Sequence, residues 1–205
     1  MTTKQLSQND KLSVKSFLYN NVLSRIMVLT FLVKTPSYRA KKLVCFSRDE
    51  MYNIVSDVQN YESFLPFCTR STITESTFDD GVSKQWSATL EIGFPPITEN
   101  FTSTVVANRP HSVQAFCTDG KLFEYLETTW IFDKAPSGDA QTCVIDFSVR
   151  FKFRSVFYAH LASIFFNKLV QNMEKSFIEE ARRRYGREAA PVFEMETHND
   201  EDFKT

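Results

Sequence analysis

From residue 36 onward, apolar and polar positions follow two alternating periods that mark out successive elements. Tyr38 to Phe46 reads as a strand. Ser47-Arg48-Asp49-Glu50 has the spacing of a capping box, and Met51, Ile54, Val55 and Val58 recur behind it at helical spacing. Pro66 limits how far that helical region runs. Period-two runs follow at about 69–78, 83–94, 98–107, 112–118, 125–133 and 142–154. They are separated by turn chemistry at Asp79-Asp80-Gly81, Phe94-Pro95-Pro96, Asn108-Arg109-Pro110, Asp119-Gly120 and Ala135-Pro136-Ser137-Gly138. In the last run Cys143, Ile145, Phe147, Val149, Phe151 and Phe153 share one face, and Asp146, Ser148, Arg150, Lys152 and Arg154 the other. A helical period then spans Val156 to Tyr185, with Gly186 placed as a C-cap.

Strand, helix, six-strand meander and one long helix predict an α+β fold: a curved seven-strand antiparallel sheet wrapped around the C-terminal helix. Trp86, Ala88, Leu90, Ile92 and Phe94 share a face of one strand. So do Phe101, Val105 and Ala107 on the next, and Leu126, Trp130 and Phe132 on a later one. On the helix, Ala162, Phe166, Leu169, Val170, Met173, Phe177 and Ala181 fall within about a third of the circumference and are expected to face the sheet. Lys168, Gln171, Lys175, Glu179 and Arg182 form the polar reverse, yet Phe157, Leu161 and Ile164 make its first two turns apolar. A membrane, a partner protein or an overlying loop would each account for that.

A meander gathers alternate connections at one end. The turns near 79–82, 108–111 and 134–141 are polar, whereas the opposite end collects Phe94, Leu122, Phe123, Val156 and Phe157. Apolar tips in these connections suit a cavity mouth or a membrane surface, the other reading being that they fold back into the sheet rim. Arg150, Lys152 and Arg154 lie near that end and read either as an attraction for anionic lipid or as a charged sheet exterior with cross-strand partners.

Composition narrows the chemistry. Of 205 residues, 42% are hydrophobic, enough for a packed core, and no apolar run approaches the roughly 20 residues of a membrane-spanning helix. Only 5 glycines stand against 20 phenylalanines, and no phosphate-cradling GxGxxG or GxxxxGK[ST] motif occurs. The four cysteines (Cys45, Cys68, Cys117, Cys143) are far apart and form no CxxC pair, and the three histidines have no metal-ligand neighbours at useful spacing. No metal site and no catalytic residue is expected. Charge is unevenly spread: residues 1–48 hold nine basic residues and the single acid Asp10. Residues 1–35, with Leu18, Val22, Ile26 and Leu29 near helical spacing, have the composition of a mitochondrial presequence, or alternatively of a basic partner-binding arm. Residues 36–187 form the expected domain, and 188–205, with six acids against Lys204, read as an acidic disordered tail. The acidic balance beyond residue 48 speaks against nucleic acid as a partner.

Tyr61-Glu62-Ser63-Phe64-Leu65-Pro66-Phe67-Cys68, Gly93-Phe94 with Glu99 and Pro110, Gly120-Lys121-Leu122-Phe123 with Trp130-Ile131-Phe132, and Phe151-Lys152-Phe153-Arg154-Ser155 leading to Arg184-Tyr185-Gly186 occur in that order. Together they resemble the coenzyme Q-binding, START-like (helix-grip) family, grouped with polyketide cyclase and dehydrase domains, over roughly residues 38–186. Phe67 stands where the family pattern commonly has Trp. The resemblance implies a lipid carrier or chaperone that binds ubiquinone in its cavity as ligand, needs no further cofactor, and supports respiratory electron transport and coenzyme Q biosynthesis. It implies a peripheral place on the matrix side of the mitochondrial inner membrane, with coenzyme Q biosynthetic or respiratory complexes as partners. On that reading Trp86, Leu90, Phe101, Val105, Trp130, Ile145, Phe147, Phe166, Leu169, Met173 and Phe177 would line the ligand, and Phe94, Leu122, Phe123, Phe157, Leu161 and Ile164 would form the membrane-facing entrance. The same fold also serves polyketide cyclase-like enzymes and ribosome- or protein-interaction modules, which remain the alternatives. An enzyme would need an inward acid or base. Glu91, Glu127 and Asp146 fall on expected outer faces, leaving Glu99 as the exception.

Overall fold

The computed structural model describes residues 37–94, 97–117, 122–187 and 189–199, without the side chains of 94, 97, 156–167 and 199. The expected presequence lies outside the described residues. Strands β1 (Ser37–Val44), β2 (Cys68–Asp79), β3 (Ser83–Phe94), β4 (Ile97–Asn108), β5 (Ser112–Cys117), β6 (Phe123–Lys134), β7 (Cys143–Phe153) and β8 (Val192–Asn199) make one antiparallel sheet. Its order is β2-β3-β4-β5-β6-β7-β1-β8. Helix α1 (Arg48–Ser56) and a 3₁₀ turn (Val58–Ser63) follow β1, and helix α2 (Val156–Tyr185) follows β7.

The eighth strand corrects the reading of a solvated acidic tail over residues 192–199. Residues 192–199 pair with β1 along the sheet edge, from Val44↔Val192 to Tyr38↔Asn199. The acids that suggested a tail instead complement a basic strand: Lys42 Nζ reaches Glu194 at 2.8 Å, and Lys41 sits opposite Glu196. Composition read one residue at a time missed a cross-strand charge match.

Local chemistry explains the helix ends. Ser47 caps α1 reciprocally with Glu50, its hydroxyl accepting from the Glu50 N–H at 3.2 Å while the Ser47 N–H donates to the Glu50 carboxylate at 2.8 Å. Gly186, at φ 66°, closes α2 in the left-handed conformation that glycine adopts without a Cβ clash. The end of α2 is tied to α1 by Arg187, which pairs with Glu50 and donates to the Cys45 carbonyl at 3.1 Å. Phe46, Met51, Ile54, Val55, Phe132, Ile145 and Ala181 are all at most 1% exposed and form a dry core where α1 and the end of α2 meet the sheet.

Candidate functional site: the inner face of the sheet

Strand registers place the inward side chains in rows that cross the sheet. One row runs Ala107, Val113, Trp130, Phe147, Ala40. It is filled by large rings: Trp130 stacks on Phe147 with centroids 4.2 Å apart, and Phe177 of α2 lies 4.9 Å from Trp130. The next row runs Trp86, Val105, Ala115, Thr128, Val149, Tyr38, and the one beyond it Ala88, Ser103, Cys117, Leu126, Phe151. Apart from Trp86, Tyr38 and Phe151 at their ends, these two rows carry only small or medium side chains. A second aromatic group follows: Phe123 meets Phe101 edge-on at 5.3 Å and stacks on Phe153 at 4.8 Å. The inner face is therefore a low floor bounded by two aromatic walls.

Polar atoms under that helix are few and specific. Glu174 of α2 is fully buried. Its Oε2 accepts a 2.9 Å hydrogen bond from the Tyr38 hydroxyl and lies 2.9 Å from Lys42 Nζ. Tyr38 and Lys42 flank Ala40 on the inward side of β1, and the methyl of Ala40 leaves room for both to converge. The other carboxylate oxygen, Oε1, is buried without a hydrogen-bond partner among the described residues, as is the Trp86 indole N–H. Burial pushes the Glu174 carboxyl above its ordinary range, although Lys42 and Tyr38 act to lower it. Burial also opposes the charged form of Lys42, but Glu194 and Glu174 outweigh it and hold the ammonium on. Burial and the neighbouring Glu174 raise the Tyr38 hydroxyl, which stays a donor.

Of the expected lining residues, Trp86, Phe101 and Val105 are buried on or beside the low floor, with Leu90 half-buried at its margin. Trp130, Ile145, Phe147 and Phe177 are also buried but belong to the ring-filled side. Leu169 and Met173 are half-buried, because α2 is rotated so that Val170, Glu174, Phe177, Ile178 and Ala181 point inward. The Phe166 side chain lies outside the described residues, as do those of Phe94, Phe157, Leu161 and Ile164.

Leu122 and Phe123, expected at the entrance, are 3% and 5% exposed, and Phe123 packs against Phe101, Phe151 and Phe153. Burying a ring against three others outweighs leaving it at the rim. Among the described residues, Phe67 is an exposed aromatic at this end, 37% exposed and held at φ 68° beside the last residues of β3. Its carbonyl accepts from the Gly93 N–H at 2.8 Å. Gly93 permits that approach, since a Cβ there would meet the Thr69 methyl at 2.8 Å.

Sequence reasoning also passed over Glu174, Tyr38 and Lys42. A lone Glu in a helix reads as solvated, and only its place one turn before Phe177, on the inward stripe, signals otherwise. Arg150 and Lys152 pair across strands with Glu127 and Glu124, which favours the charged-exterior reading. All four cysteines are free thiols, and burial pushes Cys143 up to about 12. An open groove beside α2, lined by Phe64, Asn172, Lys175 and Arg183 among others, is on the outer, polar side of the helix and touches none of the rows above.

This arrangement has relatives. The family described as polyketide cyclase / dehydrase and lipid transport matches residues 44–178. The chain belongs to that family. It is 43% identical over 159 residues to the coenzyme Q-binding protein COQ10 homolog B, mitochondrial, of Xenopus laevis, covering 78% of this chain and 63% of that protein. It is 38% identical over 172 residues to the coenzyme Q-binding protein COQ10, mitochondrial, of Drosophila melanogaster, covering 84% of this chain and 69% of that one. The fold is START-like: a START superfamily protein from Mycobacterium smegmatis superposes with a TM-score of 0.58 at 13% identity, over 72% of this chain and 98% of the other. No helix among the described residues is long and apolar enough to cross a membrane.

Proposed function

We propose that this member of the polyketide cyclase and lipid transport family binds ubiquinone between the sheet and α2 and carries it without a chemical step of its own. The observation that carries the reading is the low floor of Val105, Ala115, Thr128, Val149, Ala88, Ser103 and Cys117 between two aromatic walls. It suits a flat ring with a flexible prenyl tail, and relatives at this identity bear the coenzyme Q-binding name. Each buried CH₂ of a tail gains about 0.8 kcal/mol relative to water, and a bilayer supplies nearly the same. Transfer between membrane and protein is then close to balanced, which suits a reversible carrier.

Docking at the inner membrane from the matrix side, in support of respiration and coenzyme Q synthesis, belongs to the same proposal. The end that carries Phe67 and the β3–β4 turn would face the lipid. The buried acid Glu174 favours one rival, a cyclase-like enzyme using it as acid or base. Lipid extraction and mass spectrometry of protein purified from membranes without detergent tests both readings. Intact prenylated benzoquinone at near one equivalent is the expected result. Phospholipid alone, or nothing, overturns the ubiquinone reading, and a chemically altered ring supports the enzyme.

A further inference from the structure

Glu174 is an expensive residue where it stands. A fully buried carboxylate costs several kcal/mol unless its lone pairs are used, and an apolar side chain at this point of α2 would carry no such cost. Both donors that reach Glu174, the Tyr38 hydroxyl and the Lys42 ammonium, converge on Oε2. Oε1 takes no donor from the described residues. Tyr38, which donates to the same carboxylate, stands in one row with Val149, Thr128, Ala115 and Val105, the low floor that is read as the ligand's bed.

We propose that Glu174 Oε1 contacts the head group of the bound ring and selects its reduced, hydroquinone form. This rests on the ubiquinone reading and deepens it. A hydroquinone hydroxyl can donate to a carboxylate oxygen, whereas a quinone carbonyl has only lone pairs and would face Oε1 with repulsion. If Glu174 is protonated, the carbonyl is accepted too, so the preference is stronger in the ionised state. Among the described residues, the charged and titratable groups that face Glu174 are Tyr38 and Lys42 from β1 and Glu194 from β8. The ammonium shared by the two carboxylates supports ionisation, and Glu194 and burial oppose it. The preference therefore grows as pH rises and Glu174 loses its proton.

Anaerobic equilibrium dialysis of the full chain tests this with the decyl-tailed dimethoxy-methyl-benzoquinone, in its oxidised and its dithionite-reduced form. The wild type is expected to bind the reduced form about tenfold more tightly at pH 8, as for one hydrogen bond to a charged acceptor. The bound couple's midpoint potential then rises by about 30 mV. Glu174→Gln should abolish or invert the ratio, because its carbonyl can serve Tyr38 and Lys42 while its NH₂ donates to a quinone carbonyl. Equal affinities in the wild type, or an unchanged ratio in Glu174→Gln, overturn the selection while leaving quinone binding intact. Failure of the wild type to bind either form overturns the ubiquinone reading itself. The wild-type ratio alone decides the matter where the variant does not fold.

Discussion

The two halves of the sheet's inner face are built from the same strands and packed by opposite means. Toward the polar turns, α1 and the last turns of α2 press Phe46, Met51, Ile54 and Val55 onto Phe132 and Ile145, and none of these is more than 1% exposed. Toward the other end, Ala88, Ser103, Ala115 and Cys117 occupy equivalent inward positions. Their neighbours Leu90, Ile92 and Leu126 are only half-buried. One half holds the fold together. The other has been relieved of that duty by small side chains, and α2 bridges both with Glu174 at the border. The proposed carrier role fits this division, because a half given over to a ligand would contribute little stability when unloaded.

The largest test of that contrast is a truncation on each side. Phe132→Ala, in the dry half, is expected to cost about 3–5 kcal/mol in urea unfolding, through lost burial and the cavity left behind. Leu90→Ala, at the floor's margin, should cost well under half as much. Similar losses at both positions would mean that the inner face is packed uniformly. Enlarging substitutions sharpen the point from the other direction. Ala40→Leu inserts bulk beneath Glu174 at a residue with 0% exposure and should cost about 1–3 kcal/mol. Ala115→Leu should change stability by less than about 1 kcal/mol, since Ala115 is only half-buried among small neighbours, while lowering the quinone recovered per protein. Equal penalties at Ala40 and Ala115 would refute the low floor.

Much of this division was written in the residues, and part of it was not. Period-two alternation located β1 to β7, the capping box located α1, and Gly186 located the end of α2, because each rests on local sterics or hydrogen bonding. The pairing of β8 with β1 depends on two segments more than 140 positions apart, and an acidic run carries no local sign of a basic strand waiting for it. The low floor was invisible for a similar reason. Ala88, Ser103, Cys117 and Ala115 are unremarkable singly and become a surface only when the registers align them. The aromatic walls were legible by residue type. The direction in which Leu122 and Phe123 turn was not, since a turn residue's side chain is settled by what lies within reach.

At the border of the halves, pH separates the roles of α2. An acid whose folded pKa is raised binds its proton more tightly when folded, so its contribution to stability falls as pH climbs from the ordinary carboxylate range through the raised value. Glu174→Gln should flatten that part of the pH–stability curve measured by thermal unfolding. The opposite sign belongs to Asp146 on the outer face of β7, where Arg39 donates at 2.9 and 2.6 Å and holds the carboxyl below its usual range. Its stabilisation is present above the ordinary carboxylate range and is lost as pH falls through the lowered value. An unchanged slope in Glu174→Gln would place the buried acid outside the energetics of either half.

The smallest stability change is expected at Phe67, where the two halves differ in what they show to solvent. A non-glycine residue in the left-handed region costs about 1–2 kcal/mol, and the chain maintains Phe67 there with its ring 37% exposed. Phe67→Gly removes the backbone strain but adds unfolded-state entropy, so the net change in unfolding free energy should stay within about 1 kcal/mol of zero. The same variant should lose sedimentation with liposomes of inner-membrane composition, and Phe67→Asp should lose it more completely. Phe78, 51% exposed at the opposite, polar-turn end, supplies the control, because Phe78→Asp should sediment like the wild type. If both exposed phenylalanines matter equally, the membrane does not distinguish the ends of the sheet, and the open half has no privileged face. If only Phe67 matters, the strain at that residue positions an anchor beside the half proposed to hold the ligand.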